Sequence, residues 1–125
     1  MSIDYQVEVK DDYISVRCQG LYNQKNLMTI FDEVLQIPGR YDLEVVLVDV
    51  REIKGDHPTT LERYQLGVFI SEHNSLGVCI VVVGEEPYID PRRFGETVAL
   101  NRGARGKVFT DMQVAESWID TYIQK

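Results

Sequence analysis

The chain has 125 residues, a formal charge of -7 and a pI of about 4.7, with 44% apolar and 26% charged residues. That length fits one domain, spanning 1–125, which buries roughly two-thirds of the surface its unfolded form exposes. The acidity excludes a general nucleic-acid binder, because neutralising phosphates takes a concentrated excess of Lys and Arg.

The N-terminal "MSIDYQVEVK" lacks a basic stretch followed by an apolar one, and no run reaches membrane-spanning length, so a cytoplasmic protein with no integral membrane segment is expected. Tyr5, Val7 and Val9 alternate with polar residues, as do Ile14, Val16 and Cys18, and only Asp11 and Asp12 stand out between them. This predicts an antiparallel hairpin with one wet face. From Asn23 to Ile37, Leu27, Phe31, Val34 and Leu35 recur at helical spacing, and Pro38-Gly39 is expected to end that helix.

Two Val-rich runs follow, "LEVVLVDV" (43 to 50) and "GVCIVVVG" (77 to 84), nearly continuous as in strands covered on both faces. They are predicted to be neighbouring and parallel. Between them lies a helix over 59 to 73, opened by a capping box of Thr59 and Glu62. The next helix should be capped by Asp90, carry Pro91 in its first turn and stop near Gly103. "KVF" (107 to 109) reads as a short strand. The last helix carries a second capping box, Thr110 with Gln113, a staple of Phe109 on Val114, and a buried stripe of Ala115, Trp118, Ile119 and Tyr122. The predicted order is β-β-α-β-α-β-α-β-α, an α/β domain with a mixed, mostly parallel sheet.

"NRGARGK" (101 to 107) imitates a phosphate-binding loop, but such loops place glycines before a helix, where free N–H groups face the anion. Here the glycines come after one. Gly103 is expected to be a left-handed C-cap with Arg102 a cation at the helix's negative end. Arg92 and Arg93 should lie about 15 Å along the axis from Arg102 and Arg105, too far for one small anion to touch both pairs.

Ligands of open α/β sheets sit outside the carboxyl ends of the strands, here the loops "DVREIKGDHP" and "GEEPYIDP". Their titratable groups are Asp49, Arg51, Asp56, His57, Glu85, Glu86 and Asp90, with Tyr88 as an aromatic lid. Asp49 and Arg51 leave one strand on the same face and are expected to pair. An enzyme would use His57 as a general base oriented by Asp49 or Asp56. No metal site is expected, since His57 and His73 lie at opposite ends of one helix and Cys18 and Cys79 in separate strands. Those cysteines read as free, buried thiols of a reducing compartment. No cofactor motif and no nucleophile elbow occurs, so no catalytic residue is assigned. Thr59 and Thr60 cap a helix, yet the same free N–H groups would welcome a phosphoryl group. Tyr64, Phe69 and Tyr88 are the apolar candidates for a homodimer contact, with burial in the core the favoured reading for each.

The topology, with "VLVDVREIKG" (46 to 55) and "RFGETVALNRGARGKVFTDMQVAESWI" (93 to 119), resembles STAS domains, and most nearly their SpoIIAA-like group of small bacterial proteins, related in shape to CRAL-TRIO lipid-binding domains. An Arg-Gly turn, a strand reading V-F-T-D and a helix with A-x-x-W carry the likeness. The resemblance implies a binding or regulatory module rather than an enzyme. Joined to the strand-end reading, the expected site for a protein partner or a small amphipathic ligand is Asp49, Arg51, Asp56, His57, Thr59, Thr60, Tyr88, Arg92 and Arg93. In anti-sigma antagonists a phosphorylatable Ser follows an Asp at a helix start. Here Asp56 matches that Asp, His57 stands where the Ser would be, and Thr59 or Thr60 is the acceptor in a phosphorylation-controlled alternative.

Overall fold

A computed structural model describes residues 3–74, 76–86, 88–89 and 92–124, with the backbone alone at 94 and 95. The elements are β1 (Ile3–Val9), β2 (Ile14–Leu21), α1 (Gln24–Val34), α2 (Ile37–Arg40), β3 (Val45–Lys54), α3 (Thr60–His73), β4 (Cys79–Val83), α4 (Phe94–Asn101), β5 (Arg105–Phe109) and α5 (Met112–Ile123). The sheet runs β1-β2-β3-β4-β5, with β1 antiparallel to β2 and every other pair parallel. The two Val-rich segments are parallel neighbours, in register from Val45↔Cys79 to Asp49↔Val83. The predicted order therefore holds, with α2 as the one addition.

Because β2 to β5 step across the sheet in one direction, crossovers of one hand lay their helices on one face. Strand alternation then divides the core. Val46, Val48, Val50 and Ile80 meet Leu27, Phe31 and Ile70 of α1 and α3. Val45, Leu47, Val81, Val83 and Phe109 turn to the other face, where Ala115 and Ile119 of α5 cover them.

Several boundaries differ from expectation. Pro38 does not end the first helix: α1 stops at Val34, and Pro38 sits in the first turn of α2, where its missing N–H costs no hydrogen bond. β3 runs four residues past Val50, because a bulge in it, three positions from Asp49 to Glu52 against two from Arg17 to Gln19 on β2, is followed by renewed pairing of Gln19↔Glu52, Gly20↔Ile53 and Leu21↔Lys54. Half of the supposed site loop is thus strand. α4 begins at Phe94 with Arg93 as its N-cap residue, while Asp90 and Pro91, expected at that helix start, lie outside the described residues. The cap of α5 is Asp111, not Thr110. Its carboxylate accepts the Val114 N–H at 3.1 Å and adds a negative charge at the helix's positive end, which a Thr cannot. Val114 is 53% exposed, so it staples nothing. Tyr64, expected in the core, is also exposed, whereas Phe69 is half-buried and stacks on His73.

The glycine-rich stretch behaves as helix-end chemistry. Gly103 has φ 94, its N–H donates to the Leu100 carbonyl, and the Ala104 N–H donates to the Ala99 carbonyl, which is a Schellman closure of α4.

Candidate functional site

The carboxyl ends of β3 and β4 are tied together by one side chain. The Tyr88 hydroxyl donates to the Gly55 carbonyl, joining the loop after β4 to the loop after β3. Close by, the Thr59 hydroxyl accepts the Glu62 N–H at 3.1 Å while Glu62 Oε1 accepts the Thr59 N–H at 3.0 Å, the full capping box. Thr59 is therefore engaged. Thr60, the first helical residue, is exposed beside it, and so are Asp56, His57, Glu85, Glu86 and Arg92.

Asp49 and Arg51 pair as their spacing predicts. Asp49 is 5% exposed and takes three hydrogen bonds from Arg51: its backbone N–H at 3.0 Å, Nε at 3.0 Å and Nη2 at 2.9 Å. That bidentate grip raises the Arg51 pKa. Asp49 alternates with Val48 and shares the face of Val45 and Leu47, so it borders a polar depression with Gln6, Glu8, Ser15 and Arg17. It lies on the other side of the sheet from α3. Strand geometry thus separates Asp49 and Arg51 from the Thr60 surface. His57 meets no carboxylate among the described residues; its Nδ1 lies 3.4 Å from the neighbouring Pro58 carbonyl, and the ring is exposed. The general-base arrangement with Asp49 or Asp56 does not occur there. Among the described residues no three His, Cys, Asp or Glu side chains group as metal ligands, and no helix is long and apolar enough to cross a membrane.

A feature absent from the sequence-based expectations lies between α3, α4 and the sheet. It is a cleft of about 150 Å³ walled by Val50, Ile53, Leu66, Ile70, Val82 and Val108. Tyr22, Glu62, Arg63, Arg93 and Glu96 also line it. Arg105 and Lys107 border it too, but the odd residues of β5 point to the α5 face. There Arg105 lies beside Tyr122, which raises its pKa, and Lys107 Nζ stands 5.9 Å from the centre of the Phe109 ring. Arg93 and Arg105 thus serve opposite faces. Small helix residues line it too, Gly67 within α3 and Ala99 within α4. Gly67 in a helix interior was the available signal, since glycine there costs stability unless something needs the room.

Both cysteines are free and buried. Burial, with a smaller contribution from the Asp49 carboxylate, pushes the Cys18 thiol from its ordinary 9.0 up to about 12. Burial raises Cys79 to about 11, although Tyr122 and Arg105 pull it back. Folding therefore holds both protons, and the stability so gained is present below about pH 9 and lost as pH climbs toward 11 and 12. Native protein at pH 8 is expected to resist iodoacetamide at both thiols and to react at both in guanidinium chloride, as read by intact mass. Labelling of either thiol without denaturant would contradict the burial.

No protein-family model and no curated protein matches the chain. Solved structures do. An anti-sigma factor antagonist from Mycobacterium paratuberculosis is 15% identical over 99% of this chain and 96% of its own, with a TM-score of 0.59. RsbS from Moorella thermoacetica, in a serine-to-glutamate form, is 15% identical over 97% of this chain and 98% of its own, with a TM-score of 0.58. An uncharacterised protein with a SpoIIAA-like fold from Shewanella loihica PV-4 is 17% identical over 94% and 93%, with a TM-score of 0.49. The first two show that the chain has a STAS-like fold, as the sequence resemblance implied.

Proposed function

We propose that the protein is a non-enzymatic regulatory module that engages a protein partner through the surface made by the loops after β3 and β4 and the start of α3. The observation that carries this reading is the exposed Thr60 at the first position of α3, on loops cross-linked by the Tyr88–Gly55 bond, in a fold shared with anti-sigma factor antagonists. A rigid, polar, water-facing platform of this kind suits recognition by a second protein, whose contacts need not reorganise the loops. Around it, Asp56, Glu85 and Glu86 give an acidic rim that would favour a basic partner.

A second reading is phosphorylation control. The two hydroxyls differ in a way that favours Thr60 as acceptor, because modifying Thr59 would break the capping box, worth about 1 kcal/mol, whereas Thr60 has no such duty. A phosphoryl group on Thr60 would lie at the positive end of a 14-residue helix.

The test is affinity capture with the immobilised protein. Reversing the rim charge with Asp56→Lys and Glu85→Lys should lower recovery of the bound protein at least tenfold while leaving the melting temperature within about 2 °C, as expected for exposed sites. Unchanged recovery removes the proposed surface. Separately, Thr60→Asp should alter capture and Thr60→Ala should not; equal capture by both removes phosphorylation control.

A further inference from the structure

The cleft beneath α3 and α4 suits a different occupant from the outer loops, and its assignment goes beyond the protein-partner surface. We propose that this cleft binds a small apolar monoanion, an arylacetate or a branched short-chain carboxylate, with the Arg93 guanidinium as its anchor.

Three observations converge on Arg93. Its backbone is left-handed, with φ 54 and ψ 39, a conformation that costs a side-chain-bearing residue energy and concentrates at ligand sites. Its Nη1 is shielded from water and has no hydrogen-bond partner among the described residues. It also stands as N-cap of α4, where its carbonyl accepts the Thr97 N–H at 2.9 Å but its side chain makes no cap bond, so a cationic residue occupies the positive end of a helix. A buried guanidinium nitrogen left unpaired is costly, and a carboxylate arriving from the cleft would remove that cost with charge-assisted hydrogen bonds.

The carboxylates already lining the cleft are committed elsewhere. Glu62 Oε1 accepts from the Thr59 N–H at 3.0 Å and from the Tyr22 hydroxyl at 3.3 Å. Glu96 Oε2 accepts from the Val108 N–H. Neither pairs with Arg93. Beyond that polar border the walls are aliphatic, with Val50, Leu66, Ile70 and Val82 offering no group to a polar ligand. The ligand must then be apolar at one end and anionic at the other. Size decides between candidates: about 150 Å³ accommodates one six-membered ring or a branched chain of similar bulk, and is well short of the volumes that hold larger ligands. A long acyl chain does not fit.

The test is titration of the ¹⁵N-labelled full chain with phenylacetate, its neutral isostere phenylacetamide, and palmitate, followed by amide chemical shifts. Phenylacetate should move the amides of Val50, Val82 and Val108 and leave those of β1 in place. Phenylacetamide should bind about tenfold more weakly, and Arg93→Gln should reduce phenylacetate affinity to that level. Leu66→Trp, which fills the cleft, should abolish the shifts. Equal affinity for acid and amide, no loss in Arg93→Gln, or no shifts up to about 10 mM phenylacetate would overturn the proposal. Tighter binding of palmitate would overturn its size argument. Should Arg93→Gln fail to fold, the acid-against-amide comparison on the unsubstituted chain still decides. Partner capture through Asp56 and Glu85 is read separately, so failure here leaves the protein-partner reading standing.

Discussion

Gly106→Ala is expected to destabilise the domain by about 3 kcal/mol, lowering the melting temperature by roughly 10 °C. Gly106 pairs with Ile80 across the β4–β5 ladder, with φ 150. A Cβ built there would lie 1.9 Å from the Ile80 carbonyl oxygen, 2.9 Å from its carbon and 3.1 Å from the Ile80 nitrogen. All three are backbone atoms inside the sheet, so no side chain can swing away. The ladder must open or β5 must shift. Gly103→Ala provides the control: it has φ 94 but nothing within 4 Å, so it should cost only the conformational strain, about 1 kcal/mol. Urea denaturation of the three proteins separates the effects. Equal midpoints for Gly106→Ala and Gly103→Ala would show that the close approach of β5 to β4 is wrong.

Ile119→Ala should cost a comparable amount, about 3 kcal/mol, because α5 docks through very few atoms. Ala115 and Ile119 are its only residues fully removed from water, both at 0% exposure, with Trp118 and Tyr122 packed half-buried beside them. Truncating Ile119 leaves a cavity against Val81 and Val83 that a helix held by neighbours on its own face cannot close. Trp118, the one tryptophan in the chain, lies 5.9 Å from Phe109 between ring centres, so its emission reports whether α5 is seated. Unfolding followed at Trp118 should move to lower denaturant in Ile119→Ala. Val114→Ala, at a position 53% exposed, should change stability by less than about 0.5 kcal/mol. A large effect at Val114 and a small one at Ile119 would reverse the assigned face of α5.

The two candidate sites use different parts of one frame. The loops after β3 and β4 present charge and hydroxyl groups to water, held by Tyr88 and the α3 capping box. The cleft lies deeper, between α3, α4 and the sheet, with the small residues Gly67 and Ala99 in its lining. Arg93 sits between these regions, at the start of α4 and in the wall of the cleft.

Much of this architecture was written in local pattern. Uninterrupted Val runs meant strands with two covered faces, and β3 and β4 are those strands. Thr59 with Glu62 named the start of α3, and Gly103 named the end of α4, since capping and C-cap chemistry act over a few neighbouring residues. The Asp49–Arg51 pair followed from a spacing of two on one strand. What lay beyond the sequence depended on partners distant along the chain. β3 extends to Lys54 because it takes up one extra residue between Asp49 and Glu52 and then pairs again with Gln19, Gly20 and Leu21, partners more than thirty positions away in the chain. An enzyme would have needed His57 as a base beside Asp49 or Asp56, but the turn into α3 leaves it in water, and the sheet's pleat sends Asp49 to the opposite face. The cleft could not be read from any single segment, because an empty volume is set by how far the residues of α3, α4 and the sheet together, Gly67 and Ala99 among them, fail to fill the gap. Hydrogen bonds and caps are local, so sequence fixes them; volume, face and charge pairing arise only when helices settle on a sheet, which is why tertiary packing alone placed Arg93 against an apolar cavity.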